Sequence, residues 1–116
     1  MSELLNDHCS PIMSDSPKLD VSEISLLQAQ LPGWFTYEKD GEPRLEKNFK
    51  FENFTQAAAF TAKIAKEADN EDHHPAILTE WGKVTVTWWT HRIKGLHQND
   101  FIMAAKTEQI YKEYSK

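Results

Sequence analysis

The chain has 116 residues, which is enough for one domain with a modest hydrophobic core and too few for two. It is 40% hydrophobic and 27% charged with a net charge of −5, which argues against a nucleic-acid surface, because phosphate contacts need clustered lysine and arginine. No apolar stretch approaches the roughly 20 residues of a membrane helix, and the acidic N-terminus does not resemble a secretory signal. We therefore expect a cytoplasmic protein that binds neither nucleic acid nor a membrane. The single cysteine, Cys9, excludes an intrachain disulfide.

The N-terminal part of the sequence divides into a tail and the start of a folded domain. Residues 1–18 contain several serines and prolines with little apolar periodicity, so we expect a flexible tail. The domain is expected to span residues 19–116. It begins with a helix, because Asp20 and Glu23 have the spacing of a capping box and apolar residues then recur at helical intervals until Pro32-Gly33.

A hairpin and a long helix are predicted next. Residues 34–38 and 45–51 have the pattern of strands, and the turn between them is predicted over residues 39–43. Asn53 is a suitable N-cap for an alanine-rich helix that runs to about Ala68.

A second hairpin is predicted over residues 76–91. In its second arm Val84, Val86 and Trp88 form one apolar face, which we expect to cover the helices. His91 lies on the opposite face, which is left open to a ligand or partner.

The last predicted element is a helix for which Asn99 or Asp100 is the expected N-cap. The order of elements is then helix, hairpin, helix, hairpin, helix. This order indicates an α+β domain, with a single four-stranded antiparallel sheet and about three helices packed on one face.

The turn of the second hairpin determines which residues of its arms face each other. A Gly-X pair is typical of a tight hairpin turn, so we place the turn at Gly82-Lys83, and by extension His74 lies opposite His91. Directly opposed side chains are roughly 5 Å apart at Cβ, and His73 is adjacent in the chain. Because histidine transfers protons near neutral pH, these three imidazoles predict a proton-transfer site.

Two other interpretations of the His73-His74 pair remain open. The first is a polar loop in which both rings are solvated. The second is a zinc site, which is disfavoured because adjacent residues of an extended chain point to opposite sides, no cysteine pair is near, and no His-x₃-His spacing occurs. We expect no metal.

Five features between residues 69 and 100 resemble the signature of the pterin-4a-carbinolamine dehydratases. The family pattern has an acidic residue, His-His-Pro, an aromatic residue, a histidine and an aspartate. Every spacing is matched here by Asp69, His73-His74-Pro75, Trp81, His91 and Asp100. The similarity extends from about Leu31 to Tyr111. One departure is Asp69, because many members carry glutamate, which is one methylene longer, at that position.

The resemblance implies a lyase that dehydrates 4a-hydroxytetrahydropterin (4a-hydroxytetrahydrobiopterin) to quinonoid dihydropterin by histidine acid/base catalysis. His73 and His91 are expected to be the acid/base pair, in either order, while His74 positions the pterin and shares in the proton transfers. The expected substrate-binding residues are Asp69, Asp72, Pro75, Trp89 and Thr90. No cofactor is expected, because the chemistry requires no metal, flavin or nicotinamide.

The resemblance also implies partners and alternative roles. Family members regenerate the pterin cofactor of aromatic amino-acid hydroxylases, so functional coupling to phenylalanine hydroxylase is one expectation, and a homodimer or homotetramer is another. Some animal members instead dock onto a homeodomain transcription factor and stabilise its dimer, so an interaction module is the main alternative. Residues 88–92 resemble bacterial members more closely, which favours catalysis. A third hypothesis is the same pterin chemistry in another pterin-linked pathway.

Overall fold

The computed structural model describes residues 2–114, with residues 2 and 3 described by their backbone alone. The four strands form one antiparallel sheet in the order β1-β2-β4-β3, which confirms the predicted α+β fold. Within the described part of the chain, no helix is long and apolar enough to cross a membrane. The elements in chain order are α1 (Ser2–Asn6), α2 (Val21–Gln28), β1 (Phe35–Lys39), β2 (Glu42–Lys50), α3 (Phe54–Glu71), β3 (Ala76–Glu80), β4 (Lys83–Trp88), a 3₁₀ turn (His91–Ile93) and α4 (Gln98–Tyr111).

The apolar face of the sheet packs against the helices and forms the core. Val84, Val86 and Trp88 of β4 are fully buried, as their alternation along the strand predicts. The helices cover them with side chains spaced three or four residues apart, as an amphipathic helix requires. The buried residues of α3 are Ala57, Phe60, Ile64 and Ala68.

Two of the predicted helix starts are confirmed by their capping bonds. Asp20 Oδ1 accepts a hydrogen bond of 2.8 Å from the Glu23 amide, and Glu23 Oε1 accepts one of 3.0 Å from the Asp20 amide. Asn53 Oδ1 likewise accepts from the Gln56 amide at 2.8 Å and begins α3. These bonds satisfy backbone N–H groups that have no partner inside a helix.

The predicted N-cap of α4 is wrong, because the helix is capped by His97 rather than by Asn99 or Asp100. The Nδ1 atom of His97 accepts a hydrogen bond of 3.0 Å from the Asn99 amide. The Asp100 carboxylate accepts one of 2.9 Å from the His97 amide, which completes a capping box. Asparagine and aspartate are the commoner N-caps, so the sequence pattern favoured them.

Burial lowers the pKa of His97, and the nearby Asp100 carboxylate opposes this effect. The unfolded chain, in which the pKa of histidine is about 6.5, therefore binds this proton more readily than the folded chain. The contribution to stability is complete above that value, and we expect it to decrease as the pH falls below about 6.5 toward the lower folded pKa. Urea unfolding at about pH 7.5 and about pH 5.5 measures the change.

A His97→Asn variant keeps a capping side chain and lacks the titrating ring, so its urea midpoint should depend less on pH over this range. The same pH dependence in the variant and the unmodified protein would contradict the assignment to His97.

The first hairpin turns more tightly than predicted. Asp40 and Gly41 have φ values of 55° and 78°, as a two-residue type I′ turn requires, and Lys39 pairs directly with Glu42. The predicted turn over residues 39–43 is therefore too long. An Asp-Gly pair is a strong signal for this turn, and it makes Glu42 the first residue of a strand.

The turn of the second hairpin is displaced by one residue from its predicted position. Glu80 pairs with Lys83, so the turn residues are Trp81 and Gly82 rather than Gly82 and Lys83. Among the described glycines, those with positive φ do not include Gly82, so this residue does not adopt the conformation that a type II′ turn needs. The Trp81 side chain is 71% exposed in the turn.

This register overturns the predicted pairing of His74 with His91. The β3–β4 ladder begins where Ala76 faces Thr87, and continuing it past the strand end sets His74 opposite Trp89. His91 lies further along, in the 3₁₀ turn. Any approach of the histidines must therefore come from the loops that follow α3 and β4, and not from a strand ladder.

The N-terminal segment contacts the domain at several points. Leu4 of α1 is 3% exposed and belongs to the core, where α1 packs against α4. The Cys9 amide donates to Glu71 Oε1 at 2.8 Å, and the Arg92 guanidinium donates to the Ile12 carbonyl at 3.1 Å. Burial raises the pKa of the Cys9 thiol to about 12, so the thiol stays protonated. The predicted flexibility of residues 1–18 concerns motion and stays a prediction.

Candidate active site

An open pocket of about 280 Å³ lies at the end of the sheet, where α3 and β4 both finish. Its walls come from the residues after α3, the residues after β4 and one residue of the N-terminal segment. The volume is near the lower end of the roughly 300–1,000 Å³ typical of small-molecule sites. The lining residues are Ile12, Asp72, His73, His74, Trp89, Thr90, His91 and Arg92.

His73 is the buried member of the three histidines in this pocket, with 7% of its surface exposed. Asp72 ends α3 in the left-handed conformation, with φ of 53°, and the His73 amide then donates to the Ala68 carbonyl at 3.1 Å. The His73 ring lies nearly parallel to the Trp88 indole, at 8° and with centroids 5.9 Å apart. The backbone and the stacked ring together leave His73 little freedom.

Asp100 is fully buried in the first turn of α4 and accepts three hydrogen bonds. Its Oδ1 accepts from His73 Nε2 at 2.6 Å, while its Oδ2 accepts from the Thr90 hydroxyl and the His97 amide, each at 2.9 Å. A carboxylate only accepts, so His73 carries its proton on Nε2, and Nδ1 holds the lone pair of the neutral ring. The helix N-terminus favours the negative charge of Asp100.

His74 makes the most solvent-exposed of the three imidazole–carboxylate contacts. Its Nε2 lies 3.0 Å from Asp69 Oδ1, and the two side chains are 57% and 78% exposed. Aspartate at this position therefore reaches the imidazole despite being shorter than glutamate. Because both groups are solvated, the contact contributes little to stability.

His91 is held by a residue from the first hairpin. Its imidazole is 77% exposed, and its Nδ1 lies 2.9 Å from Oε1 of Glu42, whose side chain is 11% exposed. The ladder between β2 and β4 ends where Leu45 faces Trp88, and continuing its register sets Glu42 opposite His91. We call residues 42–44, which extend beyond this ladder, the β2 overhang.

The β2 overhang also contacts Trp89, which lines the pocket as His91 does. Arg44 lies two residues after Glu42, so both side chains point to the same face. The central carbon of its guanidinium is 4.0 Å from the centroid of the Trp89 ring, a cation–π contact. The β2 overhang thus contacts both residues: Arg44 packs on Trp89, and Glu42 hydrogen-bonds His91.

Comparison with known proteins identifies the family. A sequence model described as pterin 4 alpha carbinolamine dehydratase matches residues 17–110. The chain belongs to the pterin-4a-carbinolamine dehydratase family. A relative from Microcystis aeruginosa that bears the family's name is 54% identical over 113 residues, which are 97% of each chain. One from Gloeobacter violaceus is 50% identical over 107 residues, or 92% of each.

Two solved structures share the dehydratase fold. A Brucella melitensis protein described as a transcriptional coactivator/pterin dehydratase matches with a TM-score of 0.73 and 34% identity, over 81% of this chain and 98% of that one. A pterin dehydratase-like protein reported as a RuBisCO assembly factor in the alpha-carboxysome matches with a TM-score of 0.58 and 22% identity, over 69% and 90%. The second likeness is one of fold.

The structure brings most of the residues suggested by the dehydratase pattern to one pocket. Asp69 contacts His74 without lining the pocket. Pro75 lies outside the lining, immediately before β3, where it restricts His74 to an extended conformation. Between residues 2 and 114, no three His, Cys, Asp or Glu side chains form a metal-binding group. The predicted residues that line the pocket are Asp72, His73, His74, Trp89, Thr90 and His91.

Sequence reasoning assigned no site role to four residues that build this pocket or hold its side chains. Asp100 carried a signal, because it closes the family pattern, yet nothing in the sequence shows that it bonds His73. Glu42 was missed because the predicted turn over residues 39–43 included it, whereas the structure makes it the first residue of β2. Ile12 and Arg92 line the pocket from a presumed tail and from the loop after β4.

Proposed function

We propose that this family member is a hydro-lyase that removes the C4a hydroxyl of a 4a-hydroxytetrahydropterin as water and yields quinonoid dihydropterin. The observation that carries the proposal is the arrangement of three imidazoles around one pocket, each hydrogen-bonded through one ring nitrogen to its own carboxylate. Such pairing leaves the other nitrogen of each ring to exchange a proton with a ligand.

The reaction needs one acid and one base. The acid gives a proton to the C4a hydroxyl as the C–O bond breaks, and the electron pair that expels water comes from a pterin ring nitrogen, which loses its proton to the base. One proton is given and one is taken, so the enzyme returns to its starting charge. We assign His73 and His91 to this pair, in either order, and His74 to positioning the pterin and sharing in proton transfer.

The other pocket residues fit a flat, polar, bicyclic substrate. Trp89 offers an aromatic wall braced by Arg44, and Asp72 offers a carboxylate that suits the amino and N–H groups of a pterin. The Thr90 hydroxyl is engaged with Asp100, so Thr90 acts by shaping the wall and supporting His73. Asp69 and Pro75 act through His74.

The test is a direct assay. An aromatic amino-acid hydroxylase generates 4a-hydroxytetrahydropterin, whose decay is followed by absorbance with and without this protein. Because the compound also dehydrates spontaneously, the rate without protein is the baseline, and we expect the additional rate to rise in proportion to protein concentration. Correctly folded protein that gives no acceleration would refute the proposal.

Further parts of the proposal concern the setting of the reaction. We propose that the product recycles the cofactor of aromatic amino-acid hydroxylases, with coupling to phenylalanine hydroxylase, although another pterin-linked pathway would use the same residues. A homodimer or homotetramer is supported by the edge strand β3, where Leu78 is 59% exposed. The cytoplasmic location stays a prediction. The histidine pocket favours catalysis over the interaction role that the Brucella description also names.

A further inference from the structure

We infer that Glu42 is a positioning residue for His91, because its carboxylate holds the imidazole in the Nδ1–H form and leaves Nε2 to face the reacting pterin. This inference rests on the proposed function. Glu42 does not line the pocket and lies outside the family pattern from residue 69 to residue 100, so neither the pocket lining nor that pattern identifies it.

The burial of the pair is strongly asymmetric. The His91 ring is 77% exposed, whereas the Glu42 side chain that holds it is 11% exposed. An ion pair between two exposed side chains fluctuates and orients neither partner well. Here the carboxylate is already confined by its surroundings, so it acts as a fixed anchor for an otherwise mobile ring.

The backbone explains why Glu42 is available for this contact. The tight Asp40-Gly41 turn lets β2 begin at Glu42, and the strand then extends past the end of its ladder with β4. Pro43 has no N–H to leave unpaired in this overhang. Two-residue alternation places Glu42 and Arg44 on the face that carries His91 and Trp89.

The chemistry of the contact defines the function of the anchor. A carboxylate oxygen accepts a hydrogen bond, so the proton between Glu42 and His91 lies on Nδ1. The neutral ring then holds its lone pair on Nε2 and can act as a base, and the protonated ring presents Nε2–H and can act as an acid. Both forms keep the same ring orientation, as an acid/base catalyst requires.

Glu46 provides a matched control on the same strand and face. Its carboxylate accepts hydrogen bonds from the Tyr37 hydroxyl at 2.8 Å and the Thr87 hydroxyl at 2.7 Å. It contacts no described histidine through these bonds. A Glu46→Gln change therefore removes a charge from the strand without disturbing the pocket.

The experiment combines nuclear magnetic resonance with kinetics on the full chain. Nitrogen shifts of histidine-labelled protein report the tautomer of His91, assigned by comparison with a His91→Asn variant. We expect Nδ1–H to predominate in the unmodified protein and in Glu46→Gln. In Glu42→Ala we expect a shift toward the Nε2–H form that a solvated imidazole favours.

Kinetics then show whether the orientation matters for the reaction. Partners that orient metal-bound histidines typically contribute about 10- to 100-fold in activity, and we expect an effect of the same order for a partner that orients an acid/base histidine. We expect Glu42→Ala to lower kcat by about tenfold or more with KM changed by less than about twofold, Glu42→Gln to lie between, and Glu46→Gln to match the unmodified protein. A loss of packing alone would not move the His91 tautomer.

Each outcome decides one part of the inference. An unchanged His91 tautomer in Glu42→Ala would overturn the anchoring role. A changed tautomer with undiminished kcat would overturn its importance for catalysis. If the unmodified protein shows no dehydratase activity, the proposed function fails, and the tautomer result still decides whether Glu42 holds the ring.

Discussion

The His73→Ala, His91→Ala double variant is expected to leave 4a-hydroxytetrahydropterin decaying at close to its spontaneous rate. Each well-placed proton-transfer group typically contributes about 10²- to 10⁴-fold, and the double variant lacks both proposed members of the acid/base pair. Each single variant should lose most of its kcat, because the remaining histidine can serve only one of the two proton transfers. The hydroxylase-coupled absorbance assay measures all three variants.

The control for this prediction is His8→Ala, which removes an imidazole that lies outside the pocket and bonds the Glu71 carboxylate. It should retain the activity of the unmodified protein. Circular dichroism and urea unfolding establish that each variant is folded. A folded double variant with full activity would falsify the acid/base assignment.

Removing the Asp100 carboxylate is expected to affect both stability and activity. In Asp100→Ala, the His73 imidazole, the Thr90 hydroxyl and the His97 amide lose a shared, fully buried acceptor. Each buried donor left without an acceptor typically costs about 1 to 3 kcal/mol, so the loss of all three bonds is expected to cost about 3 kcal/mol or more. The free energy of unfolding from urea titration should fall by about that amount. Asp69→Ala removes a carboxylate that is 78% exposed and should change it by less than about 0.5 kcal/mol.

The Asp100→Asn variant separates catalysis from folding. Its carbonyl oxygen can accept from Thr90 and His97, which leaves the amide N–H₂ pointing at His73 Nε2. The ring must then accept at Nε2 and carry its proton on Nδ1. Nδ1, the nitrogen that faces the substrate in the proposal, is therefore protonated in the neutral ring, whereas in the unmodified protein it holds the lone pair. We expect a near-native urea midpoint and a kcat lowered by about 10² or more. Near-native kcat in this variant would show that Asp100 has only a structural role.

The helices and strand faces were predictable because they depend on local patterns. The capping box of Asp20 and Glu23, the Asn53 cap and the alternation from Val84 to Trp88 each involve residues close in the chain. Their interactions form within one turn of helix or along one strand, so the sequence carries them directly. His97 is the exception, because an imidazole is an uncommon cap.

The assembly of the site was less predictable because it depends on contacts between distant segments. The approach of Glu42 to His91 requires the pairing of β2 with β4, and no local pattern specifies which residues of two separate hairpins face each other. The histidines could be recognised as a set from residue types and spacing. Their route to one pocket was predicted wrongly, since a one-residue error in the turn at Trp81-Gly82 moves every pairing along the arms.

Ile12 lines the pocket from a part of the chain that precedes residues 17–110, the span that the family model matches. Its carbonyl accepts a hydrogen bond from Arg92, and its aliphatic side chain has no exchangeable proton, so this apolar border lies beside the histidines without taking part in proton transfer. Two homologues with identical imidazoles and carboxylates can therefore differ in which ring substituents they admit. Under the proposed function, selectivity among pterins would then be set at the N-terminal border of the pocket, separately from the reaction chemistry.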